Sequence, residues 1–227
     1  MIVALFIVLI VTLIMGIPVG FSIGISSMAY LILEGLPLSI LPQRMIEGIN
    51  SFPLMALPLF ILSGEIMVYG STPRLMRLAN LILGRIPGGL GAAAVAGSGF
   101  FGAISGSGVA TTAAIGGVMG PEMVKKGYGK GFTASILAGA GSLGIVIPPS
   151  LSMVVYGTST GVSIGNLFLA GFIPGMLTIL ALILLTVLIA KKRDYKGTLE
   201  DVTGFNNYLK IFLDALLPLF MPVIILG

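Results

Sequence analysis

Of 227 residues, 56% are hydrophobic and only 9% are charged, with 12 basic side chains against 8 acidic ones. A soluble domain carries roughly 25% charged residues and could not cover so much apolar surface, so the composition reads as an integral membrane protein. Cysteine and histidine are absent, which excludes disulfides, thiolate chemistry, and imidazole ligands or proton shuttles.

Met1 to Leu33 carries no charge and lacks the basic n-region of a signal peptide. Gly16-Ile17-Pro18-Val19-Gly20 interrupts it. About 20 residues cross a bilayer core, so one kinked helix and two short ones are both open. Residues 34–50 hold Glu34, Arg44 and Glu47 with Pro37 and Pro42 and read as an interfacial loop or short helix. A second apolar block runs from Phe52 to Tyr69. Beyond it Arg74, Arg77 and Arg85 alternate with Leu75, Met76, Leu78, Leu81 and Ile82, a spacing that predicts an amphipathic helix at the interface.

Residues 86–121 are uncharged and crowded with Gly, Ala, Ser and Thr, which let helix backbones approach closely in lipid. Ser105-Gly106-Ser107-Gly108 divides them into a helical hairpin. Arms of roughly 16 residues reach about 24 Å, short of the roughly 30 Å core, which favours a re-entrant hairpin. Lys125 to Lys130 is a loop. Residues 132–160 break at Gly144–Ser150, where Pro148 and Pro149 withhold two donors. Residues 165–190 read as an orthodox spanning helix ending in Lys191-Lys192-Arg193, and a last apolar run begins near Ile211. The basic clusters at 74–85, 125–130 and 191–196 belong in the cytoplasm by the positive-inside rule, and their scatter between apolar blocks argues against nucleic-acid binding.

No catalytic constellation emerges, so the chain is not read as an enzyme. Glu65 and Glu122 read as helix-end charges, and Asp214 as the i,i+4 partner of Lys210. The unusual features are the two breaks at membrane depth. Unpaired backbone groups there cost several kcal/mol each and are accepted where carbonyls bind a cation or a helix N-terminus faces an anion. Ser105, Ser107, Thr111 and Thr112 supply hydroxyls beside the first break, and Ser142 and Ser150 flank the second. Such neutral oxygens suit a hard monovalent cation. One break alone would read as a packing kink; the two together favour transport.

Several stretches recur in a specific order: Gly16 to Gly20, Ser51-Phe52-Pro53-Leu54, Pro58 to Glu65, and the hairpin tip Ser105 to Thr112. Pro121-Glu122-Met123 with Gly127-Tyr128, Gly141 to Ser150, and Tyr156-Gly157 through Gly165 complete the set. In that order the chain resembles the first half of the large membrane subunit of a TRAP (tripartite ATP-independent periplasmic) transporter. The resemblance implies an all-α integral membrane protein, the first of two inverted repeats of an elevator-type transporter, multi-pass in a prokaryotic inner membrane. It implies import of an organic acid anion of the C4-dicarboxylate or sialic acid type, with Na+ as coupling ion and no other metal or cofactor. The implied partners are a small membrane subunit, a periplasmic substrate-binding protein and bilayer lipid.

By the same resemblance, residues 1–70 are scaffold helices, of which 1–33 cross twice from an external N-terminus, and 71–88 an interfacial arm helix. Residues 89–160 are half of a transport domain (hairpin 89–124, broken helix 132–160), 165–192 a scaffold helix, and 208–227 the start of the second repeat. The implied Na+ site joins Ser105, Gly106 and Ser107 to carbonyls of Gly144, Val146, Ile147 and Pro148. Ser107, Thr111 and Ser150 face the substrate. The family's second hairpin lies outside this sequence, so the chain is expected to be part of a larger or split subunit that does not transport alone. Two alternatives stand beside this reading. One is a divalent-anion/sodium symporter without a binding protein, whose Ser-Asn-Thr tip differs from the Ser-Gly-Ser-Gly here; the other is a non-transporting membrane scaffold.

Overall fold

The uncharged N-terminal stretch folds as two helices, α1 (Ile2–Ile14) and α2 (Val19–Leu33), in a computed structural model that describes residues 2–50, 52–197 and 205–226. Ser51 of the Ser51–Leu54 motif, the polar stretch 198–204 and the terminal Gly227 lie outside the described residues. Between α1 and α2, Gly16 takes a left-handed φ of 78°, which glycine adopts without a Cβ penalty. The Ile17 amide donates back to the Thr12 carbonyl at 3.1 Å, and Pro18 precedes the first turn of α2, where a missing N–H is no loss. Thr12, Ser22 and Ser26 are buried, and each returns its hydroxyl to a carbonyl of the nearby backbone. At 13 and 15 residues the helices are about 20 and 23 Å long. The short helix α3 (Ile40–Ile49) follows, with Arg44 and Glu47 paired at 3.1 Å. These elements form the first of two units, Met1–Met55.

Helix α4 (Phe52–Leu83) runs unbroken through Pro58 and Pro73. The expected boundary at residue 70 and the separate arm helix at 71–88 are therefore replaced by one long helix and a turn. The arginines interrupt the hydropathy of the stretch but not its helical period. Leu75, Met76, Leu78 and Ala79 are buried while Arg74 and Arg77 are exposed, so the amphipathic pattern is real. Its apolar side packs on protein: the Met76 sulfur abuts Gly97 of α5 (Gly89–Ser105).

The second unit, Ala56–Gly227, is built around α5, whose residues are all buried except Ala96 and Phe100. After α5 come α6 (Gly108–Lys125), α7 (Lys130–Gly141), the short α8 (Leu143–Val146), α9 (Leu151–Thr160), α10 (Ile164–Lys192) and α11 (Phe205–Leu226). Helices α5 and α6 form the expected hairpin, and α7 to α9 the expected broken helix. Phe101, Ile115, Met119, Met123 and Leu143 make the apolar centre. Helical stretches Lys130–Thr160 and Ile164–Lys192 are long and apolar enough to cross a membrane.

Helix α10, expected as a scaffold helix, packs along the hairpin. Thr186 fits against Gly91, Ile179 against Gly99, and Gly171 and Gly175 receive Met153 and Ile147. Glycine at each contact removes the side chain that would hold the helices apart. The expected i,i+4 pair of Lys210 and Asp214 does not form; Arg44–Glu47 is the ion pair among the described residues. Two exposed long side chains gain too little from pairing to hold one geometry.

The three basic segments meet at one end of the second unit. After α10 the chain doubles back, and the Tyr195 carbonyl accepts the Gly88 amide at 3.1 Å. The Tyr195 hydroxyl accepts the Gly129 amide at 3.0 Å, its ring stacks on Tyr128 at 4.5 Å, and the Arg193 guanidinium lies over Phe132. The Gly129 amide and the Arg193 side chain hold the Tyr195 phenol below its ordinary pKa, while burial lifts that of Tyr128. Arg85 donates to the Tyr208 hydroxyl at 2.9 Å.

Candidate functional site

The hairpin turns in two residues. Gly106 ends α5 in the left-handed region at φ 60° and returns its amide to the Gly102 carbonyl at 2.8 Å. Ser107 is extended and caps α6, its hydroxyl accepting the Ala110 amide at 3.3 Å, as a serine N-cap does for an orphan donor. The Ser107 carbonyl accepts both the Thr111 amide at 3.0 Å and the Thr111 hydroxyl at 2.7 Å. Ser105 Oγ lies 3.1 Å from Thr111 Oγ1 and 3.4 Å from the Ser107 amide. The tip is therefore a knot of three hydroxyls in which Ser105 and Thr111 are 3% and 0% exposed.

The break follows from the arithmetic of the helix. A helical carbonyl at position i bonds the amide of i+4, so Pro148 deprives Gly144 of its donor and Pro149 deprives Ile145. The Ser150 hydroxyl donates to the Ile145 carbonyl at 2.9 Å and lies 2.9 Å from Ser152 Oγ. The chain passes through a cis Pro148–Pro149 bond before α9 begins.

Tip and break are in direct contact. The Leu151 amide, first in α9, donates to the Gly106 carbonyl at 3.2 Å. Gly144 has no room for a side chain: a Cβ there would lie 2.5 Å from Thr111 Oγ1 and 2.6 Å from the Ser107 carbonyl oxygen. A Cβ on Gly102 would lie 2.8 Å from the Gly144 Cα, and one on Gly141 would fall on the Thr112 hydroxyl.

Of the residues expected to bind a cation, Ser105, Gly106, Ser107 and Gly144 come together here. Val146 does not point its carbonyl at the tip; that oxygen faces Gly171 of α10. The Ile147 amide bonds the Leu143 carbonyl at 2.8 Å, and its side chain wedges between Gly99 and Gly175. Pro148 sits in the connection to α9.

Two hollows flank the tip, with Ser107 and Leu151 in the wall of both. The larger, an open cleft of about 450 Å³, is lined by the first turns of α6 and α9 (Gly108, Val109, Leu151, Ser152) together with Thr112 and Ser142. The smaller, of about 150 Å³, lies between the tip and α4 and includes Glu65. Of the residues expected to face substrate, Ser107 lines the open cleft. Thr111 and Ser150 are buried behind it with their hydroxyls bonded internally. Thr112 and Ser152, one and two residues further along, line the cleft, with the Thr112 hydroxyl donating to the Gly108 carbonyl at 2.8 Å and Ser152 Oγ 2.9 Å from Ser150 Oγ. Proximity in sequence located the breaks; it could not say which neighbouring helical position turns outward.

The family model described as "Tripartite ATP-independent periplasmic transporter, DctM component" matches residues 6–227. The isethionate TRAP transporter permease protein DctMQ of Oleidesulfovibrio alaskensis is 43% identical over 95% of this chain and 34% of its own length. The C4-dicarboxylate TRAP transporter large permease protein DctM of Vibrio cholerae is 38% identical over 98% of this chain and 49% of its own length. For the sialic acid TRAP transporter large permease protein SiaM of Vibrio cholerae the values are 37%, 93% and 50%. The chain thus spans about half the length, or less, of these curated relatives.

Proposed function

The chain belongs to the DctM-component family of tripartite ATP-independent periplasmic transporters, and from that premise we propose that it forms part of a large permease subunit importing an organic acid anion together with sodium. The observation that carries the reading is the contact between hairpin tip and helix break. It joins a carbonyl that lacks its helical donor, at Gly144, to a cleft lined by the first turns of α6 and α9.

Helix N-termini carry about half a positive charge each, with amides aimed outward. Two of them on one cleft favour an anion, and the Ser107 hydroxyl, which accepts the Ala110 amide, keeps its proton for one of the anion's oxygens. The related permeases are named for isethionate, C4-dicarboxylates and sialic acid, all organic acids. Sodium fits the neutral oxygens of Ser105, Gly106 and Ser107 with the Gly144, Ile147 and Pro148 carbonyls. Moving one charge against 100 mV takes about 2.3 kcal/mol, so an anion entering a negative-inside cell needs co-transported cations to make the step downhill.

In this reading the basic end of the second unit faces the cytoplasm of a prokaryotic inner membrane, and the hairpin enters from that side as a re-entrant element. Helix α10 travels with the hairpin and the broken helix as one elevator body, because its glycine contacts tie it to α5, α8 and α9. A periplasmic binding protein delivers the anion, and a small membrane subunit braces the permease.

Reconstitution of the complete permease in liposomes with its small subunit and binding protein tests this. Uptake is expected to need a sodium gradient and the binding protein, and to fall about fivefold or more with Ser107→Ala, which removes an N-cap worth roughly 1 kcal/mol and a cleft hydroxyl. Sodium-driven uptake without the binding protein would move the chain to the simple symporters. Uptake indifferent to replacing sodium by potassium would remove the assigned cation site.

A further inference from the structure

The smaller hollow holds a group that the sodium site and the anion cleft do not use. Glu65 stands fourteenth in the 32 residues of α4, flanked by apolar turns, far from either helix end. The missing side chain of Gly64 lets α4 approach the tip: a Cβ on Gly64 would already touch the Ser105 Cα at 3.4 Å. The next residue therefore enters the hollow beside Ser105 and Ser107, with Phe101, Ala110 and Leu151 completing the wall. Glu65 is exposed and lines this space, and none of the other lining residues is basic, so the hollow supplies its carboxylate with no counter-charge. The volume of about 150 Å³ exceeds the 10–15 Å³ or so that one ordered water requires. It admits a small cation with part of its hydration shell.

We propose that Glu65 is the centre of a second monovalent-cation site on the α4 side of the hairpin tip, sharing the Ser105 and Ser107 oxygens with the sodium assigned above, and that filling it permits anion binding in the cleft on the far side. The proposal rests on the transport reading above. Ser107 is shared by both hollows, so only the thickness of the tip separates the carboxylate from the anion cleft. An uncompensated Glu65 repels an incoming anion across that gap, and a bound cation cancels the repulsion. One carboxylate with neutral hydroxyls matches a single positive charge; a divalent ion would want more acidic ligands.

The test is sodium-dependent uptake by the complete permease carrying Glu65→Gln, which keeps side-chain size and removes the charge. The Hill slope for sodium is expected to fall by about one, and the substrate half-saturation to become at least about tenfold less sensitive to sodium, as one charge acting across a few ångströms implies. Glu65→Asp, which keeps the charge, is expected to retain the wild-type slope. Unchanged sodium dependence in Glu65→Gln overturns the proposal. If the wild type proves to be driven by protons instead of sodium, loss of the proton dependence in Glu65→Gln preserves this site while the sodium assignment falls. Should Glu65→Gln not transport, labelling supplies the reading in detergent. This chain has no cysteine and Val109, on the cleft, is 83% exposed. Thiol modification of Val109→Cys is expected to need about tenfold more sodium for half-protection in the Glu65→Gln background, and identical protection curves reject the site.

Discussion

Glycine plays opposite parts in the two units of this chain. In α2, Gly20 and Gly24 have no heavy atom within 4 Å of where a side chain would begin. At the junction of hairpin and broken helix, Gly102, Gly141 and Gly144 each sit where another strand of backbone or a threonine already occupies that space. Both regions are apolar and rich in small residues. Abundance of glycine therefore does not mark a site. What marks it is a second backbone pressed against the glycine, because that contact is how two helix breaks come to share their freed polar groups.

Breaking the second kind of contact should have the largest effect. Gly144→Ala forces a methyl between the Ser107 carbonyl and Thr111, neither of which is the free end of a flexible side chain. Overpacking of this kind costs about 1–3 kcal/mol, and the backbone clash puts this case at the upper end, or roughly a hundredfold in uptake by the complete permease. Near-normal uptake would mean that tip and break do not meet as described. Gly141→Ala is expected to lower the thermal midpoint in detergent, and Thr112→Ala to restore much of the loss, since the added methyl collides with that one hydroxyl. Failure of the pair to compensate would assign the damage elsewhere.

Next comes the break itself. Pro148→Ala returns an amide four residues beyond Gly144 and lets the helix reclaim that carbonyl. One hydrogen bond contributes about 1 kcal/mol net, so the sodium half-saturation is expected to rise about fivefold to tenfold. An unaltered sodium dependence would remove the Gly144 carbonyl from the cation site.

These predictions mix what the residues announced with what they concealed. The two breaks were legible because proline and paired glycine act on the local backbone, and Pro148-Pro149 fixes which carbonyls lose their donors by counting alone. The side chains around them were less legible. Thr111 and Thr112 differ by one helical step of 100°, and only the packing of α6 on α7 and α8 decides that Thr111 is enclosed and Thr112 lines the cleft. The apolar block stops at Tyr69, so the sequence alone makes Glu65 a helix-end charge. The helix continues to Leu83, which puts Glu65 beside the tip. The placement of α10 was hidden for a similar reason. Its glycines at 171 and 175 permit close contact, but Met153 and Ile147, which fill them, come from an element whose path bends at two prolines.

Smaller effects sharpen the comparison from within the second unit. Gly97 resembles Gly144 by burial, yet a methyl there meets only the sulfur end of Met76. An unbranched thioether moves aside readily, so Gly97→Ala is expected to cost under about 1 kcal/mol and to leave uptake within a few-fold of wild type. A loss as large as that of Gly144→Ala would show that α4 cannot yield, and that flexibility of the obstructing atom is the wrong criterion.

The smallest effect belongs to α2. Gly24→Ala places a methyl where this chain has nothing and replaces the residue with the greatest helix-entropy penalty, so it is expected to raise stability by about 0.5–1 kcal/mol and leave uptake intact. The informative measurement is the thermal midpoint of the permease with and without its small subunit. A gain in both states keeps Gly24 as the counterpart that Gly144 is not. A loss confined to the assembled complex would mean that a partner helix leans on Gly24 as the hairpin tip leans on Gly144. The difference between the two units would then lie in whose backbone makes the contact, this chain's own or its neighbour's.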